Sequence, residues 1–194
     1  MAALDFYFDY RSPYAYLAQT QVRKLGVDIA WRPFEILQLM DQVGNVPTSI
    51  TCKPKDKYLG VDLMRWVAMY KVPFQRHPQA AVIDARRLLR ATLAAAELGR
   101  SDAAVGAIFG AYWGTGAPLA TAQDLVALLE GAGVSGPDLA ARIDDPALDA
   151  ALDEATDEAA ARGVFGAPTM YVGEEMFFGN DRLDFVRASL RVAA

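Results

Sequence analysis

Apolar positions change their period several times along this chain. Leu4, Phe6 and Phe8 alternate with Asp5 and Tyr7, the two-residue repeat of a strand. From Tyr14 the repeat lengthens: Tyr14, Leu17, Ala18, Gln21, Val22 and Leu25 keep a helical spacing, and Gly26 is placed to end the helix in a left-handed cap. Ser12-Pro13 stands at the changeover, a hydroxyl N-cap followed by proline at the first helical position. Val27 to Pro33 predicts a second strand, and strand, helix and strand in so short a stretch predict a βαβ unit with parallel strands.

The pattern weakens from Phe34 to Pro78. Gly44-Asn45-Val46-Pro47 marks a turn, Lys53-Pro54-Lys55-Asp56-Lys57 reads as a basic loop, and Leu59 to Tyr70 predicts a helix with Leu63, Trp66, Val67 and Tyr70 on one face. Helical spacing then dominates. Asp84 to Leu98 ends at Gly99; Ser101-Asp102 is expected to cap a run carrying Val105, Ile108, Phe109 and Tyr112; Thr121 opens another; Asp145-Pro146 starts a helix running to Ala161 and stopped at Gly163.

Strands return near the end. Thr169 to Val172 and Met176 to Phe178 flank the turn Gly173-Glu174-Glu175, and Asn180-Asp181 is placed to cap a last helix with Leu183, Val186 and Leu190. This order is the thioredoxin plan: an α/β fold with an inserted all-helical domain. The expected division is 1–35 and 163–194 for the thioredoxin-like part and 36–162 for the helical insertion. In such a fold Pro168, just before the third strand, is expected in the cis form, beside the turn at Ser12.

Composition narrows the chemistry. The 53% hydrophobic share allows a sizeable core, and the formal net charge of −5 argues against non-specific nucleic-acid or anionic-membrane binding. An anionic ligand therefore needs a local positive pocket. No basic segment leads into an apolar run at the start of the chain, and no stretch holds eighteen uninterrupted apolar residues, so the reading is a soluble cytoplasmic protein. Cys52 is the one cysteine, which excludes an intrachain disulfide or a CxxC pair, and a single His with a single Cys speaks against a metal site.

Chemistry concentrates at Ser12. The first N–H groups of a helix lack intrahelical partners and carry the positive end of its dipole, so a hydroxyl there sits in an anion site. A hydrolase using Ser12 would need His77 as base, and no Gly-x-Ser-x-Gly elbow surrounds Ser12.

Five blocks carry a resemblance: Phe8-Asp9-Tyr10-Arg11-Ser12-Pro13-Tyr14-Ala15-Tyr16-Leu17-Ala18, Gly44-Asn45-Val46, Tyr58-Leu59-Gly60-Val61-Asp62-Leu63-Met64-Arg65-Trp66, Phe165-Gly166-Ala167-Pro168-Thr169-Met170 and Gly179-Asn180-Asp181-Arg182-Leu183. In that order the chain resembles the 2-hydroxychromene-2-carboxylate isomerases, relatives of the kappa-class glutathione transferases among thioredoxin-like proteins of the DsbA type. The resemblance implies a glutathione-dependent cis–trans isomerisation in bacterial breakdown of naphthalene-like aromatics, and a homodimer. It implies Ser12 as the catalytic group, donating to the glutathione sulfur in a turn where redox relatives carry cysteine. It also implies that Ala167, before Pro168, pairs with the cysteinyl part of glutathione, and that Asn180-Asp181 meets its γ-glutamyl end.

Each assignment has a plainer counterpart. Ser12, Asn180 and Asp181 also read as helix caps; Lys53 and Lys55 read either as solvated surface or as partners for the carboxylates of glutathione or substrate. Tyr58 and Trp66 read as core, and Arg65 as an ion-pair partner. The chain departs from these relatives near Ser49, where asparagine is expected, and at Ala81-Val82-Ile83. A kappa-type transferase that keeps the conjugate as product, and a non-enzymatic thioredoxin-like binding module, are the competing functions.

Overall fold

A computed structural model describes residues 3–47 and 51–192; the departure near Ser49 lies outside the described residues. Four strands form one mixed sheet in the order β2-β1-β3-β4. β1 (Leu4–Phe8) and β2 (Ile29–Pro33) are parallel, with Leu4 opposite Ile29 and Phe8 opposite Pro33. β3 (Thr169–Val172) and β4 (Glu175–Phe178) complete the sheet antiparallel, Phe6 facing Met170 and Met170 facing Phe177. α1 (Pro13–Val22) links the parallel pair and runs through a short 3-10 turn into Gly26, at φ 70°. A positive φ there is cheap only for glycine.

The alternation of β1 sends side chains to two faces, and both are covered. Phe6 and Phe8 pack with Trp31, Tyr10 and Phe109, while Tyr7 packs with Phe34, Leu39, Val164 and Tyr171 on the other side. A strand buried on both faces shows a period of two but no polar side.

Between β2 and β3 run α2 (Ile36–Gln42), α3 (Lys53–Tyr70), α4 (Ala85–Glu97), α5 (Ser101–Phe109), α6 (Ala122–Gly131), α7 (Leu139–Ile143) and α8 (Pro146–Ala161); α9 (Leu183–Val192) closes the chain. The helices of the insertion share the core of the sheet. Tyr10 is fully buried, its ring 4.6 Å from Phe109, and its hydroxyl lies 2.6 Å from Thr92 Oγ1. Among the described residues no helix is long and apolar enough to cross a membrane.

Several expectations hold in detail. Thr121 and Asp124 form a reciprocal capping box, Asp145 caps α8, and the peptide Ala167–Pro168 is cis. Others change. Lys53 to Lys57 is not a loop but the first turns of α3, because Cys52 is extended and Pro54 is tolerated in a first turn. Arg100, not Ser101, precedes α5, and Asp102 instead accepts from Arg23 and the Trp31 indole. Asn180 and Asp181 form a 3-10 turn ahead of α9, after Gly179 at φ 98°. Trp66 packs against the core as expected, but Tyr58 is 60% exposed, and Arg65 is exposed with no ion-pair partner among the described residues. Tyr58 shares a face of α3 with Asp62 and Trp66, and its hydroxyl donates to Asp62 at 3.3 Å.

Candidate active site

Ser12 is where strand, helix and the cis proline meet. Its N–H donates to Asp9 O at 3.0 Å, closing the turn between β1 and α1, and its Oγ accepts the Ala15 N–H at 3.1 Å as a helix cap. The same hydroxyl donates to Ala167 O at 3.1 Å, 155 residues away along the chain and one residue before Pro168. Ser12 is therefore a helix cap whose hydroxyl also ties the start of α1 to the backbone before Pro168. Gly179 N donates to Pro168 O at 3.0 Å, which brings the Asn180 turn to the same place.

Asn180 is 4% exposed, and its Nδ2 has no hydrogen-bond partner among the described residues. A buried unmet donor costs about 1–3 kcal/mol, so a ligand acceptor there would be favourable. The Asn180 carbonyl accepts from the Tyr70 hydroxyl at 3.2 Å, fixing the turn against α3. Asp181 is exposed and paired with Arg182. Lys53 and Lys55 are both exposed on the first turn of α3.

The turn before Ser12 holds charges that the sequence does not announce. Asp9 is fully buried and accepts the Arg11 N–H at 2.8 Å, the Ile36 N–H at 3.0 Å and the Arg11 guanidinium at 3.0 Å. Arg11 also pairs with Glu35, itself buried and the N-cap of α2. Burial works against the charged Arg11, yet the bonds to Asp9 and Glu35 push its pKa further up. The spacing Asp9-x-Arg11 hints at a local pair; Glu35, 24 residues on, is joined only by the fold.

Beside α1, Asp62 accepts from the Tyr14 hydroxyl at 2.8 Å and the Trp66 indole at 3.1 Å. Burial first, and that bond next, raise the Tyr14 pKa. His77 is no base for Ser12: its Nδ1 accepts the Gln79 N–H at 3.0 Å and its Nε2 donates to Ala117 O at 2.7 Å. Two cavities, of about 390 and 440 Å³, lie in the helical insertion and do not include Ser12. Their Arg142, Arg90, Asp145 and Asp149 are already committed to one another and to Glu97.

A central mixed sheet, a helix capped at its start by a reactive-type residue and a cis proline facing that cap define a thioredoxin-like protein. The profile of the DSBA-like thioredoxin domain matches residues 3–191, and the chain belongs to that family. Within it, the chain is 35% identical over 192 residues to 2-hydroxychromene-2-carboxylate isomerase of Sphingobium xenophagum, covering 96% of this chain and 97% of that one. A solved structure of 2-hydroxychromene-2-carboxylate isomerase superposes with a TM-score of 0.87 at 32% identity, over 98% of this chain and 95% of the other. Glutathione S-transferase kappa 1 of Caenorhabditis elegans is 27% identical over 203 residues, 94% of this chain and 88% of that one.

Proposed function

We propose that this chain is a glutathione-dependent cis–trans isomerase of 2-hydroxychromene-2-carboxylate-type acids arising in aromatic catabolism. The observation that carries the reading is Ser12 Oγ set between the start of α1 and the carbonyl before Pro168, in a chain whose one cysteine lies elsewhere. A protein with no thiol at this turn must take its sulfur from outside. When bound, glutathione supplies a thiolate that adds reversibly to a conjugated double bond and leaves after rotation, so that no thiol is consumed.

The donor set fits that group. Ser12 contributes one O–H and the α1 dipole, both favouring an anion. Its proton, now given to Ala167 O, turns to the sulfur, and the freed carbonyl and the Ala167 backbone accept and donate to the cysteinyl portion. The orphan Nδ2 of Asn180 and the Asp181 carboxylate receive the γ-glutamyl end, a carboxylate and an ammonium. Lys53 and Lys55 face the remaining carboxylates of glutathione or substrate. The homodimer implied by the resemblance would cover the apolar residues Val61, Met64 and Met69, which α3 leaves exposed.

The test is to incubate the protein with the chromene acid and glutathione and to count product and thiol together. Product with constant thiol supports the isomerase. Loss of thiol equal to product makes the chain a kappa-type transferase, the reading that the kappa relative favours, and binding of glutathione without any turnover makes it a binding module.

A further inference from the structure

α5 does not end as an ordinary helix. At Gly110 the coil widens into a π-helical segment, Gly110–Thr115, closed by Gly116 in the left-handed conformation. Such widenings cost hydrogen-bond geometry and recur at functional sites because they re-aim side chains. Here the segment is pinned to the turn that carries Ser12. The Trp113 indole N–H donates to Tyr10 O at 2.7 Å, and Trp113 O accepts the Gln75 N–H at 2.7 Å.

Tyr112, the neighbour of that anchor, is only 7% exposed, with its ring against His77 and Trp113 at 5.8 and 5.2 Å. The ring is nearly enclosed but its hydroxyl reaches solvent: it makes no hydrogen bond among the described residues and is not among their sealed, unmet polar atoms, whereas the hydroxyls of Tyr10, Tyr14, Tyr16, Tyr70 and Tyr171 are all bonded. Burial raises its pKa, and the charges of Asp9 and Arg11 are near enough to act on it. The hydroxyl is therefore a protonated, neutral donor beside the active-site turn. Arg11 adds a second donor edge: its Nε and Nη2 are spent on Asp9 and Glu35, while its Nη1 donates to no acceptor among the described residues.

Resting on the isomerase reading, we propose that Tyr112 is a catalytic residue whose hydroxyl donates a hydrogen bond to the carbonyl oxygen of the substrate. When the conjugated chain of the acid accepts an electron pair, the charge gathers on that oxygen; when the pair is returned, the carbonyl re-forms. The hydroxyl keeps its proton throughout. A donor placed where charge develops favours the transition state over the ground state. Because two carboxylates, Asp9 and Glu35, already hold the one guanidinium of Arg11, this turn suits a carbonyl oxygen that gains charge only during reaction better than one more permanent carboxylate.

The variant is Tyr112→Phe, which keeps the ring and removes an atom that holds no described bond, so its melting temperature should match the wild type. We expect kcat to fall about 100-fold, as for loss of one oxyanion donor, with glutathione affinity and the ultraviolet titration of the bound thiol unchanged. The second readout is independent of turnover: 4-nitrophenol is bound to the protein and titrated by its visible absorbance, and its pKa should lie about one unit higher in the variant than in the wild type. Identical probe titrations in the two proteins overturn the assignment, whatever the activity of the wild type. A wild type that shifts the probe through Tyr112 yet turns over no chromene acid leaves the oxyanion donor standing and removes the isomerase reading instead.

Discussion

The Ser12 hydroxyl carries a single proton, and at 3.1 Å that proton goes to the Ala167 carbonyl. A sulfur bound at the start of α1 has to win it, which an anion can do and a neutral thiol cannot: a charge-assisted bond is roughly twice as strong as a neutral one. Ser12→Ala removes the donor. Loss of a hydrogen bond to a charged group costs about 1.5–3 kcal/mol, so the pKa of bound glutathione should rise by roughly one to two units. Thiolate absorbance in the ultraviolet measures this, and superimposed titrations would reduce Ser12 to a cap. Asn180 supports a second substitution. Because its Nδ2 makes no bond among the described residues, Asn180→Ala should leave thermal stability nearly untouched while weakening glutathione binding about tenfold. Calorimetry decides, and equal affinity would end the role given to Asn180.

At the scale of elements, α3 begins against its own interest. Lys53, Lys55 and Lys57 crowd the first turns, where the positive end of the dipole disfavours cations, and only Asp56 offsets them. A local rule broken this way points to function. Lys53→Ala and Lys55→Ala should each raise KM, more strongly at low ionic strength where attraction is least screened. Their melting temperatures should stay level or rise slightly. A KM that is unchanged at every salt concentration returns both lysines to the solvated surface. The same start of α3 shows the limit of local reading: proline inside a lysine-rich run reads as a loop, yet a proline in the first turn forfeits no hydrogen bond.

At the scale of the whole molecule, sheet and insertion share their packing through Tyr10, Phe109 and Trp113. Phe109→Ala empties a fully buried position and should cost about 3–5 kcal/mol. Urea unfolding followed by far-ultraviolet dichroism and by tryptophan fluorescence should show the two signals losing stability together; separated midpoints would mean that the insertion melts alone. Acid should loosen the insertion as well. Glu97 is held below its usual pKa by its bonds to Arg142, and Asp145 by the Ala147 N–H and then Arg142. At Asp149 burial acts in the opposite sense, but the bonds with Arg90 and Arg86 prevail and the pKa is lowered. A carboxylate with a lowered folded pKa stabilises the protein above its unfolded value and loses that contribution as pH falls through the folded one. Stability should therefore decline below about pH 4, by a modest amount because these groups are well solvated and screened. A urea midpoint that is level between neutrality and about pH 3 would contradict it.

What could be read from the chain itself was local. Ser12-Pro13, Thr121 with Asp124, and Gly26 state their roles within four residues, since caps and left-handed turns are decided by neighbouring backbone groups. The alternation of β1 announced a strand, and the order of elements announced the thioredoxin plan. Tertiary structure decided the rest. That Asp9 is fully buried and shares Arg11 with Glu35, that the Asn180 amide is left unmet, and that Trp113 reaches the Tyr10 carbonyl two residues before Ser12 all depend on contacts between distant segments. Burial, partner and charge are properties of the space around a side chain, and only the packed fold supplies that space.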